Sequence, residues 1–188
     1  MFTQFIIMNI LVAEDEAQIA ELYRIALEDR NHVVTVVGDG QAAIDSYMSS
    51  LKAKNDASNG QPAQKAVAPF DVLILDYRMP KKDGLAVAKE ILAINPHQRI
   101  IFASAYVRET LMDSVTNLKQ LVELLQKPFD LETLVDTIED KQIYEDLSKI
   151  NVKIRALKDL NPTHEQLRDL LEGIKVLNKG TSTLRAAA

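Results

Sequence analysis

The stretch Asp71-Val72-Leu73-Ile74-Leu75-Asp76-Tyr77-Arg78-Met79-Pro80 decides the fold. Its four consecutive apolar residues predict a strand covered on both faces, the pattern of a parallel sheet. The run delivers the carboxylate of Asp76 and then breaks at Pro80. An ionised side chain at the end of a buried strand is costly unless something pairs with it, and such strand ends are where open α/β sheets bind ligands.

Similar units flank this strand. Asn9 to Ala13 reads as a central strand that ends in Glu14-Asp15-Glu16, and Ala17 to Arg30 places Ile19, Leu22, Tyr23, Ile25 and Ala26 at helical spacing. His32 to Val37 predicts a short β-branched strand. Gly38-Asp39-Gly40 stops it and offers a cap for a helix through about Leu51. Residues 52–69 have no apolar period and predict a long exposed loop, either functional or mobile.

Beyond Asp76, residues 79–84 predict a turn and Leu85 to Asn95 a helix. Arg99 to Ala103 predicts a strand that ends on Ser104, followed by a helix around Arg108 to Leu118. Leu121 to Phe129 is ambiguous between the end of a helix and a fifth strand; strict alternation and the stop at Pro128 favour the strand. Leu131 begins a fifth helix, to about Asp140. Five strands alternating with five helices imply a doubly wound parallel sheet with right-handed crossovers.

The chain has 188 residues, 47% hydrophobic and 26% charged, with a net charge of -5, which fits one globular domain plus an appendage. The absence of cysteine excludes a disulfide framework, a thiolate metal site and thiol catalysis, and makes a reducing cytoplasm the expected compartment. Residues 1–8 carry no basic leader, and the apolar run to Ala13 is far too short to cross a bilayer. A dispensable leader before Met8, and no membrane association, are expected.

In a doubly wound sheet, residues just past the carboxyl ends of neighbouring strands meet at one edge. That rule gathers Glu14, Asp15, Asp76, Ser104 and Lys127. Three carboxylates within roughly 5 Å repel by a few kcal/mol per pair at an effective dielectric near 20, so a divalent cation is the expected compensator. An all-oxygen site suits Mg²⁺, which also binds phosphate. Lys127 and Ser104 suit the oxygens of a transferred phosphoryl group, with Asp76 as the nucleophile that accepts it.

These residues together resemble the receiver domain of two-component response regulators. The matching features are Glu14-Asp15 after the first strand, Leu75-Asp76-Tyr77-Arg78-Met79-Pro80 followed by Asp83-Gly84, Ser104-Ala105 after the fourth strand, and Lys127-Pro128-Phe129 after the fifth. The resemblance covers about residues 8 to 139. It implies a flavodoxin-like five-stranded α/β domain over 1–139, a phosphoacceptor switch rather than an enzyme, phosphorylated on Asp76 by a sensor histidine kinase or phosphotransfer protein. It further implies that Asp15, Asp76 and the backbone carbonyl of Arg78 hold Mg²⁺ with Glu14 in support, and that Ser104 and Lys127 contact the phosphoryl group. Two departures stand out: Leu124 replaces the Tyr or Phe usual three residues before the lysine, and the 52–69 loop is longer than the family needs. Tyr106 lies close enough to Ser104 to gate the site, and Arg78 and Tyr106 occupy positions that tune phosphate loss in the family.

His32, His97 and His164 have no mutual spacing that points to a metal or relay and are expected at the surface. A hydrolase of the haloacid-dehalogenase type would need a second acid where Arg78 stands, and no Walker-type loop is present. A pseudo-receiver, a phosphorylation-independent binding platform, is the rival of another class.

From residue 140 onward Ile143, Leu147, Ile150, Ile154 and Leu157 recur at coiled-coil spacing, and after Asn161-Pro162 a second stripe runs through Leu167, Leu170, Leu171, Ile174 and Leu177. Residues 140–188 thus predict a helical extension, an αα-hairpin or a long helix plus a shorter one. The tail holds nine Lys or Arg against seven Asp or Glu, a net +2, which leaves -7 for residues 1–139. That is no nucleic-acid footprint, so homodimerisation or docking onto a partner is preferred to DNA binding. Packing of the hairpin on its own receiver is the plainest alternative.

Overall fold

A computed structural model describes residues 7–57, 68–105 and 123–140 of the chain. Its five strands are β1 (Asn9–Ala13), β2 (Val33–Val37), β3 (Val72–Leu75), β4 (Arg99–Ser104) and β5 (Glu123–Gln126). They form one all-parallel sheet in the order β2-β1-β3-β4-β5, the flavodoxin-like arrangement expected from the alternation. The ambiguous 121–129 segment resolves as β5. The described helices are α1 (Ala17–Glu28), α2 (Gly40–Ala57), α3 (Gly84–Ile94) and α4 (Leu131–Glu139). The helix expected around 108–118, Tyr106, His164 and the two tail stripes lie outside the described residues. Two compact units divide the chain, 1–135 and 136–188; the sheet, α1 to α3 and the first half of α4 belong to the first.

The sheet is buried where the sequence is continuously apolar. Every residue of β3 is buried, as are Ile10 to Ala13 of β1 and Ile100 to Ser104 of β4. Alternate side chains point to opposite faces. Leu11, Ala13, Leu73, Leu75, Ile100 and Phe102 form one core with Ala43, Ile44 and Tyr47 of α2 and Leu85, Val87, Ala88, Ile91 and Leu92 of α3. Each fully buried Leu or Ile contributes about 1.5–3 kcal/mol, so the central strands can carry a costly polar cluster at their ends.

Two expectations are corrected. Residues 52–57 are not loop but the last turns of α2. Lys52, Ala53, Lys54 and Ala57 favour a helix, and because they project into solvent they leave no apolar period to read. Lys54 Nζ donates to the Ala68 carbonyl at 3.0 Å, bringing that helical end back toward β3. Residues 58–67 of the expected loop lie outside the described residues. His32, expected at the surface, is 5% exposed: it precedes β2, and its Nδ1 accepts from the Met8 amide at 3.4 Å. His97 is exposed as expected.

Candidate functional site

Strand register brings the site together. β1 and β3 pair with Ala13 opposite Leu75, so the residues that follow them, Glu14-Asp15 and Asp76, emerge side by side. The amide of Asp76 donates to the Ala13 carbonyl at 2.9 Å, and that of Glu14 to the Val37 carbonyl at 3.1 Å. The chain order reverses between β1 and β3, the crevice where open sheets bind ligands. On the other side β4 and β5 pair with Ser104 opposite Gln126, and the Lys127 amide donates to the Ser104 carbonyl at 3.0 Å.

Side chains of Glu14, Asp15 and Asp76 each offer an oxygen within 4.8 Å of the others. Lys127 Nζ donates to Glu14 Oε2 at 2.6 Å and stands 3.6 Å from Asp76 Oδ2. Burial pushes the Glu14 carboxyl above its ordinary range against the opposing effect of Lys127, and burial likewise raises Asp76. Lys127 and the amides of Tyr77 and Arg78 work the other way on Asp76, and the Tyr77 amide lies 2.6 Å from its Oδ1. Glu14 Oε1 is buried with no hydrogen-bond partner among the described residues. One lysine therefore does not compensate three carboxylates. An oxygen-only donor set with an orphaned buried oxygen fits Mg²⁺, which prefers oxygen ligands.

The turn that carries Asp76 into α3 is held by close backbone approach. Gly84 donates to the Tyr77 carbonyl at 2.9 Å, and a Cβ at position 84 would stand 2.2 Å from the Asp76 carbonyl oxygen. A Cβ at Gly40 would stand 2.1 Å from the Lys82 carbonyl oxygen. Asp39 caps α2 by accepting from the Ala42 amide at 2.8 Å, and it pairs with Lys81 at 2.7 Å; Lys81 itself takes a left-handed φ of 66°. The N-terminus of α2 and the Asp76 turn are thus locked together.

Of the residues singled out from sequence, Glu14, Asp15, Asp76 and Lys127 converge. Ser104 sits fully buried at the end of β4, beside the backbone of Lys127. The Arg78 side chain is exposed while its amide faces Asp76. Leu124 is half-buried and packs against the core. Two contributors went unread: Tyr23 of α1, whose ring stacks on Phe129 at 5.7 Å, and Gly40. Their signals were an aromatic on the buried face of an amphipathic helix and a glycine just after a cap.

Comparison with known proteins agrees with the fold. The family profile of the response regulator receiver domain matches residues 10–139. The transcriptional regulatory protein DltR of Streptococcus agalactiae is 25% identical over 173 residues, which cover 92% of this chain and 68% of DltR. The transcriptional regulatory protein TrcR of Mycobacterium tuberculosis is 33% identical over 129 residues, 68% of this chain and 42% of TrcR. Among solved structures, a chain of the CheX-CheY-BeF3-Mg+2 complex from Borrelia burgdorferi is similar with a TM-score of 0.54 at 21% identity, over 69% of this chain and 85% of that one. At that identity the likeness concerns the fold.

Proposed function

This chain belongs to the response regulator receiver family, and from that premise we propose that it is a two-component response regulator whose phosphoacceptor is Asp76. The observation that carries the reading is the convergence of Glu14, Asp15, Asp76 and Lys127 from three strand ends. It is the arrangement a carboxylate needs to receive a doubly charged group and keep it.

An Oδ of Asp76 attacks the phosphorus of a phosphohistidine on a sensor kinase or phosphotransfer protein. The new O–P bond forms as the N–P bond breaks, and the electron pair leaves with the imidazole. Asp76 attacks as the anion, which Lys127 and the Tyr77 and Arg78 amides favour against the burial that opposes it. Lys127 then shifts toward the phosphoryl oxygens, and the Ser104 hydroxyl donates to one of them. Asp15, Asp76 and the Arg78 carbonyl would hold Mg²⁺, with Glu14 in support. The ion, when bound, supplies positive charge against the equatorial oxygens of the transferred group.

The phosphorylated site biases a pre-existing two-state surface, and the output runs through homodimerisation or partner docking by the helices expected over 140–188, in the cytoplasm. Support for reading the site this way comes from the receiver-domain family profile over residues 10–139 and from the three carboxylates gathered beside Lys127. Beryllofluoride with Mg²⁺ should change the tyrosine fluorescence or the oligomeric state of the wild type. A silent wild type, or the same response in Asp76→Asn, would sink the proposal.

A further inference from the structure

Tyr23 lies on the buried face of α1 with Ala20 and Leu27 and is 4% exposed. Its ring stacks on that of Phe129, with centroids 5.7 Å apart and planes inclined by 19°. Phe129 follows Lys127 by two residues, in the short segment that leaves β5 and enters α4 at Leu131. On its amino-terminal side Lys127 is held by the sheet, through the Ser104 carbonyl at 3.0 Å. The ladder ends there, because β5 is a four-residue edge strand that stops at Gln126. On the carboxyl side the aromatic stack on α1 ties down the chain two residues beyond Lys127, and Asp130 then accepts from the Thr133 amide at 2.6 Å at the start of α4.

The same tyrosine is close to the acids. Burial first, and then the negative charges of Glu14, Asp76 and Glu16, push its phenol far above its ordinary range. Tyr23 therefore touches the segment that carries the site's cation and feels the site's anions. An aliphatic residue would fill most of the same volume but would not set the orientation of Phe129, because the preference for stacked rings is directional.

We propose that Tyr23 is a positioning residue for phosphoryl transfer: by stacking on Phe129 it holds Lys127 where one ammonium reaches both Glu14 and Asp76. The inference rests on the reading of Asp76 as phosphoacceptor. A side chain that only filled the core would act on stability alone and independently of Lys127. A positioning residue acts through Lys127.

The test is a double-mutant cycle on the rate of phosphorylation by acetyl phosphate at saturating Mg²⁺, in the full chain, with folding checked by melting curves. Tyr23→Leu should slow the reaction roughly ten- to hundredfold, and Tyr23→Phe, which keeps the stack, should stay near the wild type. In a Lys127→Ala background Tyr23→Leu should add no further loss. Wild-type rates in Tyr23→Leu, or losses that multiply with Lys127→Ala, would overturn the proposal. Should Tyr23→Leu not fold, Phe129→Leu removes the same stack from the other side and carries the same expectations. A second readout needs no phosphoryl group: the side-chain NMR signals of Lys127 in metal-free protein should move in Tyr23→Leu and not in Tyr23→Phe. Unmoved signals in Tyr23→Leu overturn the inference, whereas moved signals in Tyr23→Leu together with a wild type that takes no phosphoryl group overturn the reading of Asp76 and leave Tyr23 holding Lys127.

Discussion

Lys127 is hydrogen-bonded to Glu14, at 2.6 Å, and not to Asp76, from which it stands 3.6 Å away. The Glu14 side chain is 1% exposed, so its charge depends on that lysine. Removing one partner of a buried pair leaves the other uncompensated, and Lys127→Ala should cost on the order of 3 kcal/mol at neutral pH. Urea denaturation reads this. Adding Glu14→Gln should restore most of the loss; simple additivity would mean that the pair contributes nothing of its own.

The raised carboxyls give a pH signature. Burial holds Glu14 and Asp76 above their ordinary 4.5 and 3.8. A group raised on folding favours the folded state fully below its unfolded value, and that contribution is lost as pH rises through the folded one. In metal-free buffer, Asp76→Asn should therefore gain stability relative to the wild type as pH climbs above 3.8, and lose that advantage at the acid end. Mg²⁺ at neutral pH should raise the Tm of the wild type more than that of Asp76→Asn. Parallel Tm curves against pH would contradict this account.

Gly84 starts α3, where alanine is ordinarily better than glycine by about 1 kcal/mol. Here the contact decides otherwise. A Cβ 2.2 Å from the Asp76 carbonyl oxygen meets backbone that cannot swing aside, so Gly84→Ala should destabilise by about 1–3 kcal/mol. It should also slow phosphorylation, since the displaced residue is Asp76 itself. Gly40→Ala, pressing on Lys82, should do the same through the far end of the turn. Unchanged melting and unchanged rates in both variants would show that the turn yields freely.

Asp83 caps α3 by accepting from the Ala86 amide at 2.7 Å. Asp83→Ala should cost about 1 kcal/mol and Asp83→Ser much less. Chemical denaturation of the three proteins checks the order, and a Ser variant as weak as Ala would locate the effect outside the cap.

Most of this was legible in the sequence because a parallel strand buried on both faces writes itself as a continuous apolar run. Val72 to Leu75 and Ile10 to Ala13 are such runs, and the rule that strand ends converge then brings Glu14 to Lys127 across 113 positions. What escaped depended on contacts that leave no period. Residues 52–57 form helix without a buried face, and His32 is buried although a lone histidine before a short strand looks like any surface residue. The Tyr23–Phe129 stack joins two elements whose separate patterns each explained the residue as ordinary core. The two-glycine clamp depends on backbone packed so closely that a Cβ at Gly84 or Gly40 would stand about 2 Å from a carbonyl oxygen, an approach that no sequence pattern records.

The most direct test of the central claim is intact-mass and peptide-level mass spectrometry after incubation with acetyl phosphate and Mg²⁺. One added phosphoryl group is expected, labile to alkali and cleaved by hydroxylamine as an acyl phosphate is, located on Asp76 and absent from Asp76→Asn. No added mass in the wild type, or the same added mass in Asp76→Asn, would contradict it.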